Sequence, residues 1–94
     1  MKGGFVYILT NKNKSTLYVG VTSDLKQRVY EHKTGRGSVF TSKYRINKLV
    51  WFDEFPTIED AIAREKQIKK WKRDWKLELI TNFNADFKDL YDEI

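Results

Sequence analysis

Four side chains near the beginning of the sequence could together carry out acid–base chemistry. Tyr7 and Tyr18 lie in two short apolar runs, and Arg28 and His32 follow at a spacing of four residues. A tyrosine hydroxyl has a reference pKa of about 10, so it acts as a base near neutral pH only when cations lie beside it. Arg28, Lys26 and a metal ion could supply that charge. Core packing is the alternative, because tyrosine is common in strands.

Arg28 and His32 are one turn apart in a predicted helix, so they share a face. That face borders apolar residues, and His32 is the only histidine of the chain. An arginine and an imidazole beside the core-facing side indicate a common site. The structural alternative is that Arg28 pairs with Glu31 or Asp24, and that His32 is a partly buried ring.

Glu65 lies within the apolar stripe of another predicted helix, between Ile62 and Ile68 at three-residue spacings. Burial of an ionised carboxylate without a partner is costly, so such a residue needs a reason. One reason is a metal site, because a single carboxylate can hold Mg²⁺ when water and substrate phosphate complete the coordination. The alternative is that Glu65 lies at the edge of the stripe or pairs with Lys69.

Three strands are predicted to position the tyrosines. Residues 4–10 and 16–22 are rich in β-branched and aromatic types, and the short polar turn between them predicts an antiparallel pair. Gly20 inside the second strand indicates a bulge or the close approach of another backbone. Residues 48–55 predict a third strand, which Pro56 ends.

Helices are predicted to carry the remaining candidates. The predicted segments run from an N-cap at Ser23 to Gly35, from Thr57 through Trp71, over residues 73–82, and as a turn or short helix over residues 86–91. Residues 57–60 resemble a capping box with Thr57 as the cap and Asp60 in place of the usual glutamate. Residues 39–47 carry no clear pattern. The order ββαβαα predicts an α/β (α+β) fold, with a small, mostly antiparallel three-stranded sheet flanked by helices.

The composition indicates one globular domain over residues 1–94, with 40% hydrophobic residues and no cysteine. The lack of cysteine excludes a disulfide scaffold and a thiolate metal site. No apolar run approaches the ~20 residues of a membrane span, and the first residues lack the pattern of a secretory signal. We therefore expect a soluble, cytoplasmic protein.

The net charge of +5 favours polyanionic partners, above all nucleic acid. Positive charge is concentrated from Arg64 to Lys76, where Trp71 and Trp75 are interleaved. These tryptophans could stack on bases, but packing against the domain is the preferred interpretation. The predicted phosphate contacts are Lys26, Lys66, Lys69, Lys70, Lys72 and Arg73.

The order of these features resembles the GIY-YIG nuclease family. The runs FVY at 5–7 and YVG at 18–20 resemble its motif pair, and an arginine, a histidine and a glutamate follow at Arg28, His32 and Glu65. The resemblance spans nearly the whole chain and is strongest to small single-domain members of the UPF0213 type. Phe5 stands where the first motif has glycine, while the tyrosine of that motif is kept.

The resemblance implies hydrolysis of phosphodiester bonds with one divalent metal ion, Mg²⁺ or Mn²⁺. Glu65 would ligate the ion, which would polarise the scissile phosphate, and Arg28 would neutralise charge on the phosphoryl oxygens. Tyr7 is favoured as the general base and Tyr18 as its hydrogen-bonding neighbour, although these roles could be exchanged. His32 would orient a tyrosine or the water. The C-terminal asparagine of the site is either Asn84, which is favoured, or Asn82.

The expected partner is nucleic acid, with DNA preferred over RNA, and neither a membrane nor a small-molecule cofactor is expected. Without a further DNA-binding domain, strong sequence specificity is not expected. Two other functions are compatible with the sequence. One is a nucleic-acid-binding module that keeps the fold but does not cut. The other is an accessory protein that binds a protein partner through its aromatic surface.

Overall fold

The computed structural model describes residues 3–94 of the chain. Its strands are β1 (Gly4–Thr10), β2 (Leu17–Thr22) and β3 (Lys48–Phe55). Its α-helices are α1 (Leu25–Lys33), α2 (Val39–Lys43), α3 (Ile58–Lys69) and α4 (Arg73–Phe83), and a 3₁₀ turn covers Tyr91–Glu93. Apart from the short helix α2, this is the predicted order. Within these residues, no helix combines the length and the apolar character needed to cross a membrane.

The three strands form one antiparallel sheet in the order β2-β1-β3, which confirms the predicted fold class. The short polar turn after β1 returns the chain beside it, so Tyr7 lies opposite Gly20 and Leu9 lies opposite Tyr18. Side chains alternate between the faces of a strand. This register therefore places Tyr7 and Tyr18 on the same face of the sheet.

The sheet separates two hydrophobic clusters. On the tyrosine face, Tyr7 and Leu9 pack with Leu25 and Val29 of α1. On the opposite face the cluster combines sheet residues with residues of α3 and α4, namely Val6, Ile8, Val19, Val50, Trp51, Ala61, Ile68 and Ile80. The apolar stripe of α3 therefore lies on the opposite side of the sheet from the tyrosines.

The cap of α1 differs from the prediction. Asp24, not Ser23, is the N-cap, and its side chain accepts a hydrogen bond from the backbone N–H of Gln27 at 3.1 Å. The hydroxyl of Thr22 accepts a hydrogen bond from the backbone N–H of Asp24 at 3.1 Å. The helix therefore begins one residue later than predicted. The predicted cap at Thr57 is confirmed, since its hydroxyl accepts from the N–H of Asp60.

The last three helical segments differ from their predicted bounds. The helix after Thr57 ends at Lys69 and not at Trp71, and α4 continues to Phe83. The final helical turn lies at Tyr91–Glu93 and not over 86–91, where residues 85 and 86 form only a turn. Phe87 has a positive φ of 53°, which is incompatible with a right-handed helix at that position.

Residues 39–47, which carried no prediction, contain the five-residue helix α2. Its N-cap is Ser38, whose hydroxyl accepts from the N–H of Thr41 at 3.1 Å. A helix this short has no room for a periodic apolar pattern, so sequence periodicity could not reveal it. Thr41 is its buried residue and directs α2 toward the tyrosine face.

Candidate active site

The centre of the candidate site is a hydrogen bond between a strand and a helix. The hydroxyl of Tyr7 lies 3.0 Å from Nε2 of His32, and both residues are buried. The ring of Tyr18 contacts both, with centroid distances of 6.3 Å to Tyr7 and 5.4 Å to His32. Tyr18 is more accessible than its neighbours. The structure thus brings together three of the predicted residues in one aromatic cluster.

Gly20 makes room for Tyr7. A Cβ atom at position 20 would lie 2.4 Å from both the Cζ atom and the hydroxyl oxygen of Tyr7. The close approach inferred from this glycine is real, but the approaching group is a side chain and not a backbone. Gly20, the last residue of the second motif, therefore allows the Tyr7 side chain to lie directly over the backbone of β2.

The other side of the imidazole is held by three residues that the sequence analysis missed. Nδ1 of His32 lies 3.0 Å from the hydroxyl of Thr41, which lies 2.8 Å from the hydroxyl of Ser38. A Cβ atom at Gly37 would lie 2.0 Å from Nδ1, so only glycine allows this backbone to pass the ring. A serine is a preferred N-cap residue, so Ser38 was the feature of the sequence that could have indicated a short helix here.

Arg28 has two partners in the structure. Its Nη1 atom lies 2.8 Å from Oε1 of Glu31, and its Nη2 atom donates to the carbonyl oxygen of Gly37 at 2.9 Å. Of the two partners that the structural alternative allowed, Glu31 and not Asp24 pairs with Arg28, and Glu31 raises the pKa of Arg28. The same contacts hold the guanidinium beside the Tyr7–His32 pair, since its charge affects the pKa of both groups.

Burial decides the protonation states of the pair. Desolvation raises the pKa of Tyr7 to about 12, against the opposing influence of Arg28. Burial, and then the charge of Arg28, lower the pKa of His32 to about 4. At neutral pH the cluster is a neutral phenol bonded to a neutral imidazole. Arg28 lowers the pKa of Tyr7 as expected of a neighbouring cation, but burial outweighs it, so the net shift is upward.

Lys26 does not take the place that the sequence analysis gave it beside the tyrosines. Its Nζ atom donates to the carbonyl oxygen of Ile94 at 3.0 Å and lies 4.6 Å from the centroid of the Tyr91 ring. It points from α1 toward the last residues of the chain. Arg28 is the cation beside the site.

We expect acid to weaken the fold through His32. Its pKa is about 4 in the folded chain, compared with 6.5 for an ordinary histidine. Between these values the unfolded chain binds a proton that the folded chain does not, so the free energy of unfolding should fall as the pH drops from 6.5 to 4. Denaturant unfolding at a series of pH values measures this slope.

The matched control is His32→Gln, which keeps hydrogen-bonding groups at the position but does not titrate. Its slope over the same pH range should be smaller, because the carboxylates still contribute while the imidazole does not. Equal slopes in the two proteins would show that His32 is not the source of the acid sensitivity.

Glu65 is buried and forms an ion pair with Lys69 on the next turn of α3, which is the contact expected from the structural alternative to a metal site. Ala61 and Ile68 of the same helix belong to the cluster on the opposite face from the tyrosines. Within residues 3–94, no hydrogen bond or ion pair joins Glu65 to Tyr7 or its neighbours. Glu65 therefore belongs to a helix that packs against the face of the sheet opposite the tyrosines.

A divalent ion is compatible with Glu65 as its one protein ligand. No group of three or more histidine, cysteine, aspartate or glutamate residues that could hold a metal occurs within the described part of the chain. A carboxylate oxygen suits Mg²⁺, which retains water and binds substrate phosphate readily. The side chain of Lys69 is 52% exposed, so it can move into solvent when another cation replaces it.

Asn84, the favoured C-terminal asparagine, is buried and bonded to the backbone. Its Nδ2 atom donates to the carbonyl oxygens of Val50 at 3.1 Å and Lys88 at 2.8 Å, and its Oδ1 atom accepts from the N–H of Lys88. Asn82 is exposed. The observed contacts of Asn84 join the end of α4 to β3, and a catalytic role for it stays a prediction.

The predicted basic segment is mostly exposed. Lys66, Lys70 and Lys72 form no ion pair within residues 3–94, whereas Lys69 pairs with Glu65 and Arg73 donates to the carbonyl oxygen of Lys14. Trp71 packs against the core as expected. Trp75 does not follow that expectation, because it is 56% exposed and meets Trp71 edge-on.

A second basic surface adjoins the aromatic cluster. Residues 32–52 contain no aspartate or glutamate, and their cations are Lys33, Arg36, Lys43, Arg45 and Lys48. Of these, Lys33 forms an ion pair with Asp89. Phe40 and Tyr44 on this segment are exposed and contact each other at a centroid distance of 5.0 Å. The sequence analysis missed this surface because it has fewer cations per residue than the 64–76 segment.

The chain is similar to known proteins over most of its length. A model of the GIY-YIG catalytic domain matches residues 3–78. A UPF0213 protein of Clostridium perfringens is 41% identical over 83% of this chain and 83% of its own length. A UPF0213 protein of Syntrophus aciditrophicus is 40% identical over 85% of this chain and 92% of its own length.

A solved structure has the same fold. The solution NMR structure of a UPF0213 protein from Bacillus halodurans superposes with a TM-score of 0.58 at 29% sequence identity. The superposition covers 92% of this chain and 90% of that chain. The names of these relatives state no activity.

Proposed function

This chain belongs to the GIY-YIG family, and from that premise we propose that it is a divalent-metal-dependent endonuclease that hydrolyses phosphodiester bonds. The observation that supports this most strongly is the bond between Tyr7 and His32, with Tyr18 and Arg28 beside it. A tyrosine buried only for packing needs one hydroxyl partner. It does not need an imidazole whose second nitrogen and whose covering loop are also fixed.

The residues of the cluster have complementary roles in this proposal. The phosphodiester would lie over the edge strand β2, where Arg28 neutralises charge that develops on the phosphoryl oxygens. Tyr7 would accept the proton of the attacking water, and the more accessible Tyr18 would orient that water. His32 would hold the Tyr7 hydroxyl in position through their 3.0 Å bond.

Glu65 is the residue that would hold Mg²⁺ or Mn²⁺, with water and phosphate oxygens as the other ligands. When bound, such an ion polarises the scissile phosphate and stabilises the leaving oxygen. The ion would replace the ammonium group of Lys69 as the cation at this carboxylate.

Two basic surfaces support nucleic acid as the substrate. The exposed lysines of the 64–76 segment begin beside Glu65, and the acid-free segment 32–52 adjoins His32. We propose that they contact phosphates on either side of the cut, with DNA preferred over RNA. Such contacts depend on charge and not on base identity, so cleavage would have little sequence specificity. A cytoplasmic setting suits a chain without cysteine.

The experiment that tests this function is a cleavage assay on end-labelled duplex, nicked, flapped and branched DNA, with matching RNA. We expect products with Mg²⁺ or Mn²⁺ and none with a chelator, with faster cleavage of DNA. Binding measured in parallel without metal should weaken steeply with salt, because bound lysines displace counterions. Salt-dependent binding with no metal-dependent product on any substrate would refute the nuclease.

A non-cleaving nucleic-acid-binding module is the second candidate, and the contacts of Glu65 favour it. The carboxylate is already neutralised by Lys69, as in an ordinary structural ion pair. A binding module would keep its affinity in Glu65→Ala, and divalent ions would not alter the surroundings of Glu65. A ¹⁵N–¹H correlation titration with Mg²⁺ distinguishes the two, because the nuclease predicts shifts centred on α3.

We expect Arg28→Lys to reduce cleavage by ~10²-fold, in the range observed when one preorganised charge donor is removed. The guanidinium bonds to Glu31 and to the carbonyl oxygen of Gly37 at the same time, which the single ammonium group of lysine cannot reproduce with the same planar geometry. Cleavage rates at saturating Mg²⁺ measure the effect. Arg36→Lys, at an exposed position in the loop that follows α1, is the control for a change of cation type. If Arg28→Lys cleaves at the wild-type rate, Arg28 contributes only its positive charge and not the geometry of the guanidinium group.

A further inference from the structure

The Tyr7–His32 bond continues through two hydroxyl groups to the surface. Nδ1 of His32 lies 3.0 Å from the hydroxyl of Thr41, and the hydroxyl of Ser38 lies 2.8 Å further on. His32 and Thr41 are both buried, whereas Ser38 is half-buried and lines an open surface cavity of about 550 Å³. These four side chains form one unbroken row from the candidate base to solvent.

We propose that this row is a proton relay, which carries the proton of the attacking water from Tyr7 through His32 and Thr41 to Ser38 and then to solvent. The inference rests on the proposed hydrolytic function and adds Thr41 and Ser38 to it as positioning residues. Neither hydroxyl contacts substrate in this assignment. Their part is to give the imidazole a partner that can donate or accept.

The relay explains how Tyr7 and His32, which are both neutral at neutral pH, could take up the proton of the attacking water. Burial keeps Tyr7 a neutral phenol at neutral pH, so it can take a proton only by giving up its own. The acceptor, His32, is neutral and is disfavoured as a cation by burial and by Arg28, although Glu31 opposes this. The imidazole can therefore accept at Nε2 only if it releases at Nδ1 in the same event.

The geometry allows such a release. A neutral imidazole carries one N–H, so one of its two bonds is donated and the other is accepted. The hydroxyl of Thr41 can either accept a hydrogen bond from Nδ1 or donate one to it. In both arrangements the hydroxyl of Ser38 is its second partner. The backbone N–H of Thr41 donates to the Ser38 oxygen at 3.1 Å, which leaves the Ser38 proton free to point outward. Gly37 packs on the ring and prevents it from rotating away.

The transfers balance in protons and electrons. The O–H bond of the water breaks as its oxygen bonds to phosphorus, and an O–H bond forms on Tyr7. The P–O bond to the leaving oxygen breaks with its electron pair on that oxygen, which takes a proton from bulk water. The earlier Tyr7 proton moves to Nε2 of His32, the Nδ1 proton moves to Thr41, and the Thr41 proton moves to Ser38. The Ser38 proton enters bulk water. Each residue ends with as many protons as it began with, and no oxidation occurs.

The test compares Thr41→Val, which has the same shape without a hydroxyl, with Thr41→Ser, which keeps one. We expect Thr41→Val to reduce the cleavage rate by ~10²-fold, the lower end of a general-base contribution, and Thr41→Ser to restore most of it. The proton inventory of the rate in mixed H₂O and D₂O should be curved in the wild type and in Thr41→Ser. It should become linear in Thr41→Val, because several protons then no longer move together.

A second measurement does not depend on cleavage. The chain has one histidine, so ¹⁵N-histidine labelling gives the two imidazole nitrogen signals of His32 alone. Thr41→Val should shift the Nδ1 signal, and Thr41→Ser should leave it near its wild-type position. Thr81→Val is the control, since its hydroxyl bonds to a backbone carbonyl on an exposed face of α4.

The outcomes separate the relay from the nuclease. A cleavage rate in Thr41→Val equal to that of the wild type, or a curved proton inventory in this variant, overturns the relay and leaves the proposed nuclease function intact. An unchanged Nδ1 signal in Thr41→Val overturns the hydrogen bond on which the relay depends. The absence of metal-dependent product from the wild type, by contrast, removes the proposed function and the relay together.

Discussion

Replacement of Glu65 by glutamine should abolish metal-dependent cleavage and leave the chain folded. Glutamine keeps the shape of the side chain but removes the negative charge that a divalent ion requires. We expect a loss of more than ~10²-fold in rate, because even the partners of metal ligands contribute up to that much. Product formation with Mg²⁺ and with Mn²⁺, at equal protein concentration, measures the effect.

Thermal unfolding of the same variant is the second readout. Glu65 is buried and Lys69 is largely exposed, so the ion pair recovers little of the cost of removing a carboxylate from water. The stability of Glu65→Gln should therefore equal or exceed that of the wild type. Glu59→Gln, at an exposed position on the same helix, controls for a lost charge.

Two results would contradict this expectation. Cleavage at the wild-type rate in Glu65→Gln would exclude Glu65 as the metal ligand. A large loss of stability together with lost activity would make Glu65 a structural partner of Lys69. In that case the metal titration of the wild type should produce no shifts on α3.

Substitution of Gly20 by alanine should have the next largest effect, on both stability and activity. The new Cβ would lie 2.4 Å from the Cζ atom and the hydroxyl oxygen of Tyr7, whose side chain is buried and cannot move aside without disturbing its bond to His32. Overpacking of this kind costs about 1–3 kcal/mol, and we expect the free energy of unfolding to fall by that amount. Cleavage should be lost because the Tyr7 hydroxyl is displaced.

A double-mutant cycle identifies the cause. In a Tyr7→Leu background the atoms that the new methyl group meets are absent, so Gly20→Ala should cost little stability there. An equal cost in both backgrounds would mean that the backbone of β2, and not the Tyr7 ring, requires glycine. Denaturant unfolding of the four proteins measures the coupling.

Local signals in the sequence were enough for most of the fold. The three strands follow from runs of β-branched and aromatic residues between polar turns, and the cap at Thr57 follows from a contact three residues away. The ion pairs of Arg28 with Glu31 and of Lys69 with Glu65 were also anticipated, because both span one helical turn. Each of these depends on neighbours in the chain.

The candidate site depended on the family resemblance as well as on such signals. Nothing in local patterning distinguishes Tyr7 and Tyr18 from tyrosines that pack a sheet. Their motif order, with Arg28, His32 and Glu65 after them, made the distinction. Neighbours of the site that no motif covers, namely Gly37, Ser38 and Thr41, were therefore missed.

Only the tertiary structure decided the pKa values of the site residues and the face of the sheet on which each helix packs. The bond between Tyr7 and His32 joins residues 25 positions apart, and the depth of burial that raises one pKa and lowers the other arises only when the sheet, α1 and α2 pack together. The position of α3 across the sheet from the tyrosines likewise follows from packing. Residue types specify which groups can titrate, but a pKa depends on the loss of water and on distances between groups, which exist only in the folded chain.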